Sequence, residues 1–98
     1  MDLGAAIKSI RKQKGIKQNT FAELCDITQA YLSQIENNLK EPNLSTLKKI
    51  AEKLSIPLPI LFFLSMDETD IPSDKKDAYS LIAPSVQSLL NQFFSSPN

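Results

Sequence analysis

The sequence of 98 residues contains no histidine, no tryptophan and only one cysteine, Cys25. A single cysteine cannot form an intramolecular disulfide, and without histidine the chain offers no plausible set of soft ligands for zinc. Catalytic pairs of serine or cysteine with histidine are excluded for the same reason. An enzyme built from carboxylates and lysines alone is the catalytic class that is left, and no feature of the sequence favours it. We therefore expect a protein that is not an enzyme and that holds no metal or cofactor.

The sequence also lacks a long apolar run. The longest, residues 56–64, is interrupted by Pro57 and Pro59, whereas about 20 apolar residues are needed to cross a bilayer as a helix. No basic stretch followed by an apolar one occurs near Met1, so we recognise no secretion signal. With 42% hydrophobic residues and only two glycines, the composition is typical of one small globular domain. We expect this domain to stay in the cytoplasm, without membrane contact.

The net charge is zero, but the charges are unevenly distributed along the chain. Residues 1–56 carry nine Lys or Arg against six Asp or Glu, whereas residues 57–98 carry two against five. Five of the basic residues fall between Lys8 and Lys17, a stretch without any acidic residue. This pattern fits an ordinary solvated helix face and fits a surface for a polyanion equally well.

The spacing of apolar residues predicts three short helices in the first third of the chain. Asp2 can cap the first helix, and Gly15 can end it in a left-handed conformation. The second covers residues 18–25, and after a tight turn Thr28 caps the third, which extends to about Asn37. The predicted inward faces contain Leu3, Ala6, Ile7 and Ile10 in the first helix, Phe21, Leu24 and Cys25 in the second, and Tyr31, Leu32 and Ile35 in the third.

The opposite face of the third helix is polar, uncharged and rich in amides. A merely solvated face would more often carry Lys and Glu, because those side chains favour helix and solubility. Gln and Asn combine a donor and an acceptor in one side chain, which is the combination that bidentate contact with an adenine edge in the major groove requires. We interpret this face as a base-reading surface formed by Gln29, Ala30, Ser33 and Gln34, with Asn37 at its margin.

The remaining sequence predicts three further helices. Asn43 can cap a fourth helix, and the apolar residues 56–64 predict a short fifth. The acidic segment 66–74 is interpreted as a linker, so that the chain divides into a domain over residues 1–65 and a linker with a C-terminal helix over residues 66–98. That sixth helix is expected from about Asp74 to Phe94, kinked or restarted at Pro84. Its apolar stripe, which can pack on its own domain or on a partner, consists of Tyr79, Ile82, Val86, Leu89, Leu90 and Phe93.

The stretch from Gln18 to Leu47, QNTFAELCDITQAYLSQIENNLKEPNLSTL, closely resembles the Cro/C1-type helix-turn-helix family of phage repressors and bacterial regulators. The residues that match the motif of that family in register are Gln18, Ala22, Ile27, Thr28, Gln29, Leu32, Ser33, Ile35, Glu36, Pro42, Leu44 and Leu47. Asp26 and Asn38 stand where the family usually has glycine, and both residue types tolerate the left-handed conformation. The resemblance implies an all-α fold with a five-helix lambda-repressor-like DNA-binding domain followed by a C-terminal helix.

The same resemblance implies particular roles and partners. Arg11 would form a structural ion pair with Glu36, the alternative being a phosphate contact by Arg11. The function implied is sequence-specific transcriptional regulation by a homodimer on palindromic double-stranded DNA, with RNA polymerase as a further candidate partner. In size and in its clustered helices the chain looks most like a restriction-modification controller protein of the longer kind, which would control its own gene and an endonuclease gene.

Two further sets of residues complete the predicted site. Contacts to DNA phosphates are assigned to Lys17, Gln18, Asn38 and Lys40, with Lys14 as a weaker candidate; for Gln18 the alternative is plain helix capping. Tyr31 is expected to pack inward, with a hydroxyl that can reach a phosphate. The preferred dimer interface consists of Ile60, Leu61, Phe62, Phe63 and Leu64, the alternative being an entirely intramolecular core.

A rival interpretation is an antitoxin-type protein-binding module. In that case the C-terminal helix would wrap around a toxin, and DNA binding would be autoregulatory and secondary. A small toxin gene beside this one would favour the antitoxin, whereas a methyltransferase gene and a nuclease gene would favour the controller.

Overall fold

The computed structural model describes residues 1–94, apart from the side chains of Leu90, Phe93 and Phe94, and the all-α prediction is confirmed over that range. Two of the predicted stripe positions, Leu90 and Phe93, therefore lie outside the described side chains. The α-helices are α1 (Leu3–Gln13), α2 (Gln18–Leu24), α3 (Gln29–Glu36), α4 (Leu44–Lys53), α5 (Leu58–Ser65) and α6 (Lys76–Phe94). Two single 3-10 turns, Glu68–Asp70 and Ser73–Lys75, connect α5 to α6.

Short polar side chains begin three of these helices, as their sequence positions predict. Asp2 Oδ1 accepts a hydrogen bond from the Ala5 amide at 2.9 Å. Thr28 Oγ1 accepts one from the Tyr31 amide at 3.0 Å, and Asn43 Oδ1 accepts one from the Thr46 amide at 2.8 Å. Each bond satisfies an amide that has no partner within its own helix, which typically stabilises the helix by about 1 kcal/mol.

Left-handed residues end or separate the helices. Gly15, Asp26 and Asn38 have φ values of 71°, 57° and 60°, which confirms the left-handed conformation expected at these positions. Ser55, after α4, adopts the same conformation with a φ of 60°, and nothing in its sequence context indicated this. Asparagine and aspartate reach this region with less strain than other residues that carry a Cβ.

The core is formed by the five helices α1 to α5 together. Helix α1 packs against α3 and α5, α2 packs against α3, and α4 packs against α5. The buried apolar side chains are Ile7, Ile10, Phe21, Ala22, Cys25, Leu32, Ile35, Leu47, Ile50, Ala51, Leu54, Ile56 and Leu61. Burial raises the pKa of the Cys25 thiol to about 11, so Cys25 is a neutral core side chain, as predicted.

The inward direction predicted for Leu24 is wrong, since 45% of its surface is exposed. The buried residues of α2 and its cap, Phe21, Ala22 and Cys25, share a narrow arc of the helix. At about 100° per residue, Leu24 lies roughly 110° from the centre of that arc and so points away from the core.

Helix α6 runs through Pro84 without a restart, which corrects one of the two alternatives for that position. Three of the large apolar side chains described on it are uncovered: Leu81 is 80%, Leu89 59% and Ile82 54% exposed. Tyr79 is half-buried, and its ring centroid lies 6.0 Å from that of Phe63 on α5. In the described part of the chain, no helix combines the length and the apolar character needed to cross a membrane.

Gly4 marks the closest approach of α1 to α3. A Cβ built on Gly4 would lie 2.7 Å from the Glu36 carbonyl oxygen, and closer still to that of Ile35. Because these obstacles are backbone atoms, they cannot move aside as a flexible side chain would.

The Gly4→Ala variant is therefore expected to destabilise the protein, although replacing glycine by alanine within a helix usually stabilises it. Helix propensity alone would stabilise the protein by about 1 kcal/mol, whereas the clash should cost more and give a net loss of about 1–3 kcal/mol. Thermal unfolding measures the sign, with Ser9→Ala on the exposed side of α1 as the control. A higher melting temperature for Gly4→Ala would contradict the close approach.

Candidate nucleic-acid interface

Helices α2 and α3 are joined by the four residues 25–28, a connection too short for any element to intervene. The left-handed Asp26 reverses the chain, and the Ile27 amide donates to the Ala22 carbonyl at 3.0 Å. The small side chain of Ala22, 2% exposed, lies in the core where α2 and α3 pack. Lys49 Nζ on α4 lies 3.4 Å from Asp26 Oδ2, a largely exposed ion pair that contributes at most about 1 kcal/mol to holding the turn.

Helix α3 divides into a buried side and an accessible side. Leu32, Ile35 and Glu36 are buried. On the other side Gln29, Ala30 and Asn37 are exposed, and Ser33 and Gln34 are half-buried, so all the predicted base-reading residues share one accessible surface. Tyr31 is half-buried at the boundary, packed against the core cluster.

A chain of hydrogen bonds leads from the interior to this surface. Glu36 forms a bidentate pair with Arg11, Nε to Oε2 at 2.7 Å and Nη2 to Oε1 at 3.0 Å. Gln18 Nε2 donates to the same Oε1 at 3.1 Å. Gln29 Nε2 in turn donates to Gln18 Oε1 at 3.2 Å. The chain begins at a buried charge and ends at the first residue of α3.

The donors and acceptors in this series of hydrogen bonds fix the orientation of the side-chain amides of Gln18 and Gln29. A carboxylate only accepts hydrogen bonds, so Gln18 must turn its NH₂ group toward Glu36. Its carbonyl then points to Gln29, which must donate through its own NH₂ group. Gln29 retains one N–H hydrogen and its Oε1, a donor and an acceptor side by side. Arg11 itself is held by a further bond from Nη1 to the Ile16 carbonyl at 2.8 Å, and its side chain is 7% exposed.

The ion pair between Arg11 and Glu36 thus has the geometry that the resemblance implied. The alternative, Arg11 as a phosphate contact, is wrong, because the guanidinium is buried and three of its N–H groups are already bonded.

The predicted phosphate contacts differ in their surroundings. Lys17 and Lys40 are exposed, whereas Lys14 is half-buried and Gln18 is part of the chain described above. The side chain of Asn38 is also bonded within the protein. Its Oδ1 accepts from the Gly4 amide at 3.1 Å and its Nδ2 donates to Asp2 Oδ1 at 2.6 Å, so both ends of the amide bind α1 and its cap. Sequence reasoning missed these partners because they lie more than thirty residues away.

The predicted dimer interface is divided by the packing of α5. Ile60, Phe62, Phe63 and Leu64 are half-buried and reachable from outside. Leu61 is 0% exposed and belongs to the core, so its assignment to the interface is corrected. On a helix five consecutive residues cannot all face one way, and Leu61 takes the inward position.

Comparison with known proteins places this geometry among described folds. The family model named Helix-turn-helix matches residues 7–61, which is more than half of the chain. This range contains most of α1, all of α2, α3 and α4, the turn after α2 and the first half of α5.

Two similar proteins come from Bacillus phage phi105. The ImmF control region 10 kDa protein is 41% identical over 59 residues, covering 60% of this chain and 66% of its own. The Immunity repressor protein is 39% identical over 56 residues, covering 57% of this chain and 39% of its own. The chain therefore spans between about two fifths and two thirds of the length of these relatives.

Solved structures with the same fold include the clp gene regulator ClgR from Corynebacterium glutamicum. One crystal structure aligns with a TM-score of 0.63 at 28% identity, covering 65% of this chain and 83% of that chain. A second aligns with a TM-score of 0.67 at 24% identity over 86% of this chain and 89% of that chain. The likeness of fold in the second case extends beyond the five N-terminal helices.

Proposed function

Because this chain belongs to the helix-turn-helix family of DNA-binding transcriptional regulators, we propose that it is a sequence-specific regulator that binds a palindromic operator as a homodimer. Helix α3 enters the major groove with its accessible side toward the base edges. The phosphate backbone on either side is held by groups on α2 and in the loop after α3.

The observation that carries this proposal is the hydrogen-bonded chain from Arg11 to Gln29. A free glutamine samples many rotamers, whereas Gln29 is held at an exposed position by Gln18 and through it by a buried carboxylate. Its remaining N–H and Oε1 match N7 and N6 of adenine. Ser33 and Gln34 extend the reading surface by one turn, Ala30 offers a methyl group for thymine, and Asn37 lies at the edge.

Contacts to phosphate set the register of α3 but do not distinguish bases. Lys17, directly before α2, and Lys40, in the loop after α3, supply exposed positive charge, and Lys14 is a weaker candidate. Gln18 has a second N–H hydrogen on Nε2, beyond the one bonded to Glu36, that can donate to a phosphate oxygen.

Dimerisation follows from the need for selectivity, since one short helix contacts too few base pairs to distinguish an operator among about 10⁶ or more genomic sites. The half-buried residues of α5 and the uncovered stripe of α6 offer an apolar surface for a second copy. Ile82 and Leu89, which lie on one side of α6, are each more than half exposed, as is Leu81 about 100° away around the helix. A contiguous exposed apolar surface often marks a protein–protein contact.

The genes under control are a finer proposal. Control of the chain's own gene and of a restriction endonuclease gene rests on the likeness in size and helix content to controller proteins. The similarity to the Immunity repressor protein of Bacillus phage phi105 favours repressor function more broadly. A contact with RNA polymerase would be needed only if the protein also activates a promoter.

Base reading is tested by measuring the affinity of single-residue variants for a series of operator sequences, after footprinting on the DNA upstream of the gene. Gln29→Ala and Gln34→Ala should each lose about 1–3 kcal/mol of discrimination per half-site at one base pair. Lys40→Ala should weaken all sequences alike and lower the slope of log affinity against log salt by about 0.9 for each phosphate that it no longer neutralises.

Lys48→Ala is the matched control, because Lys48 is an exposed lysine on α4 outside the proposed interface. It should change neither discrimination nor slope by a comparable amount. An unchanged order of preference among operators in both glutamine variants would refute the assignment of α3 to base reading.

The exposed stripe of α6 also favours a second candidate function, the binding of a different protein as in an antitoxin. The two candidates differ in what the purified protein does alone. Sedimentation of a dimer at micromolar concentration favours self-association, whereas a monomer with α6 uncovered favours a separate partner.

A further inference from the structure

Asn38 links the end of α3 to the start of α1. Its Oδ1 accepts from the Gly4 amide at 3.1 Å, and its Nδ2 donates to Asp2 Oδ1 at 2.6 Å. The same Asp2 oxygen accepts the capping bond from Ala5 at 2.9 Å. These two bonds lower the pKa of the Asp2 carboxyl, that from Asn38 more than that from Ala5. One amide side chain therefore bridges two helix ends that are more than thirty residues apart in sequence.

The conformation of Asn38 does not require this side chain. At a φ of 60° glycine would adopt the same backbone geometry with less strain. Asparagine thus accepts a conformational cost at this position, and the link to α1 is what its side chain adds. Gly4 makes the link possible, because a Cβ there would lie 2.7 Å from Asn38 Oδ1.

The loop that follows Asn38 is bound to the backbone of α3. The amides of Leu39 and Lys40 both donate to the Gln34 carbonyl, at 2.8 Å and 3.3 Å. The segment therefore has two attachments, one to α3 through Gln34 and one to α1 through Asn38. Lys40 is exposed at its end.

We propose that Asn38 is a positioning residue for DNA binding, which holds the loop so that Lys40 meets a phosphate of the operator backbone. This inference rests on the proposed function. Asn38 acts through the loop and not by touching DNA itself. Without the link to α1, Lys40 would lie on a loop attached only at α3. Ordering that loop on DNA would then cost free energy, and the contribution of Lys40 to the affinity would be smaller.

The first test is a cycle of the variants Asn38→Gly and Lys40→Ala, read as the salt dependence of DNA affinity. Lys40→Ala alone should lower the slope by about 0.9 per subunit. Asn38→Gly alone should lower it by most of that amount, and Lys40→Ala should then have little further effect. If the losses of slope in the two single variants added up in the double variant, the inference would be overturned, because only groups that do not interact have additive effects.

Ser55→Gly is the matched control for the loss of left-handed backbone strain on substitution by glycine. Ser55 has the same left-handed conformation, with a φ of 60°, at the end of α4. It should leave the slope unchanged. An equal loss of slope in Ser55→Gly would show that glycine at any such position loosens the protein, and would overturn the specific role of Asn38.

The second test approaches the link from its other end and does not depend on how Asn38→Gly folds. Asp2→Asn and Asp2→Ala remove the same negative charge, but only asparagine keeps an oxygen that can accept from Asn38 Nδ2 and cap α1. Asp2→Asn should retain the slope of the unaltered protein, and Asp2→Ala should reduce it. Equal slopes in the two variants would overturn the inference.

The outcome also separates this inference from the proposed function. If the unaltered protein shows no salt-dependent affinity for its upstream DNA, both fail together. If it binds and Lys40→Ala lowers the slope while Asn38→Gly does not, the proposed function stands and the positioning role of Asn38 fails alone.

Discussion

Replacing Glu36 with alanine is expected to lower the free energy of unfolding by about 3–5 kcal/mol, because it leaves the Arg11 guanidinium buried without its carboxylate. The side chain of Arg11 is 7% exposed and that of Glu36 is 1% exposed. One bond of Arg11 to the Ile16 carbonyl would remain, but it does not neutralise the charge. Since small domains are stable by only about 5–15 kcal/mol, urea denaturation should show a large shift of the midpoint.

The double variant Arg11→Met with Glu36→Leu separates stability from DNA recognition. Exchanging a buried ion pair for apolar side chains of similar volume is often neutral or stabilising, so this variant should unfold at or above the urea concentration of the unaltered protein. It should nevertheless discriminate operators poorly, because Gln18 loses the acceptor that orients it and Gln29 loses a fixed partner. A double variant with unchanged discrimination would show that the ion pair does not orient Gln18.

The sequence contained enough local information to predict most of the helices. Apolar spacing indicated the five N-terminal helices, and the caps at Asp2, Thr28 and Asn43 depend on residue types that accept a bond from an amide two or three residues later. The accessible side of α3 also followed from periodicity, because at about 100° per residue Ala30 and Gln34 lie on the side of the helix opposite Leu32 and Ile35.

Apart from the ion pair of Arg11 with Glu36, which the resemblance implied, the sequence did not supply the contacts between distant segments. The bonds of Asn38 to Gly4 and Asp2 depend on how closely α1 approaches the end of α3, which no local pattern encodes. The hydrogen bond between Gln18 and Gln29 likewise depends on how α2 and α3 pack. Sequence reasoning found these glutamines as separate contacts to DNA, whereas the structure joins them to the buried pair.

The apolar run of α5 was ambiguous for a different reason. When nearly every residue of a short helix is apolar, periodicity gives no contrast between an inner and an outer side. Leu61 is 0% exposed, whereas its neighbour Ile60 is half-buried. The two residues therefore offer a matched pair for separating core packing from association.

Leu61→Ala is expected to lower the free energy of unfolding by about 2–5 kcal/mol, because the missing methyl groups leave a cavity among residues that cannot fully collapse onto it. Since this contact is made within one chain, the reduction should be the same at low and high protein concentration. Ile60→Ala should unfold closer to the unaltered protein but raise the dissociation constant of the dimer, because Ile60 lies on the accessible part of α5.

Urea denaturation at two protein concentrations and equilibrium sedimentation together decide between these roles. Association contributes to apparent stability in proportion to the logarithm of concentration, so only a variant that affects the dimer changes the concentration dependence. If Leu61→Ala weakened the dimer while leaving the unfolding of the monomer unchanged, Leu61 would belong to the interface after all. If the unaltered protein sedimented as a monomer at micromolar concentration, the two-fold arrangement of α3 on a palindrome would fail. Without self-association, two copies would not be held at the fixed spacing that two half-sites require.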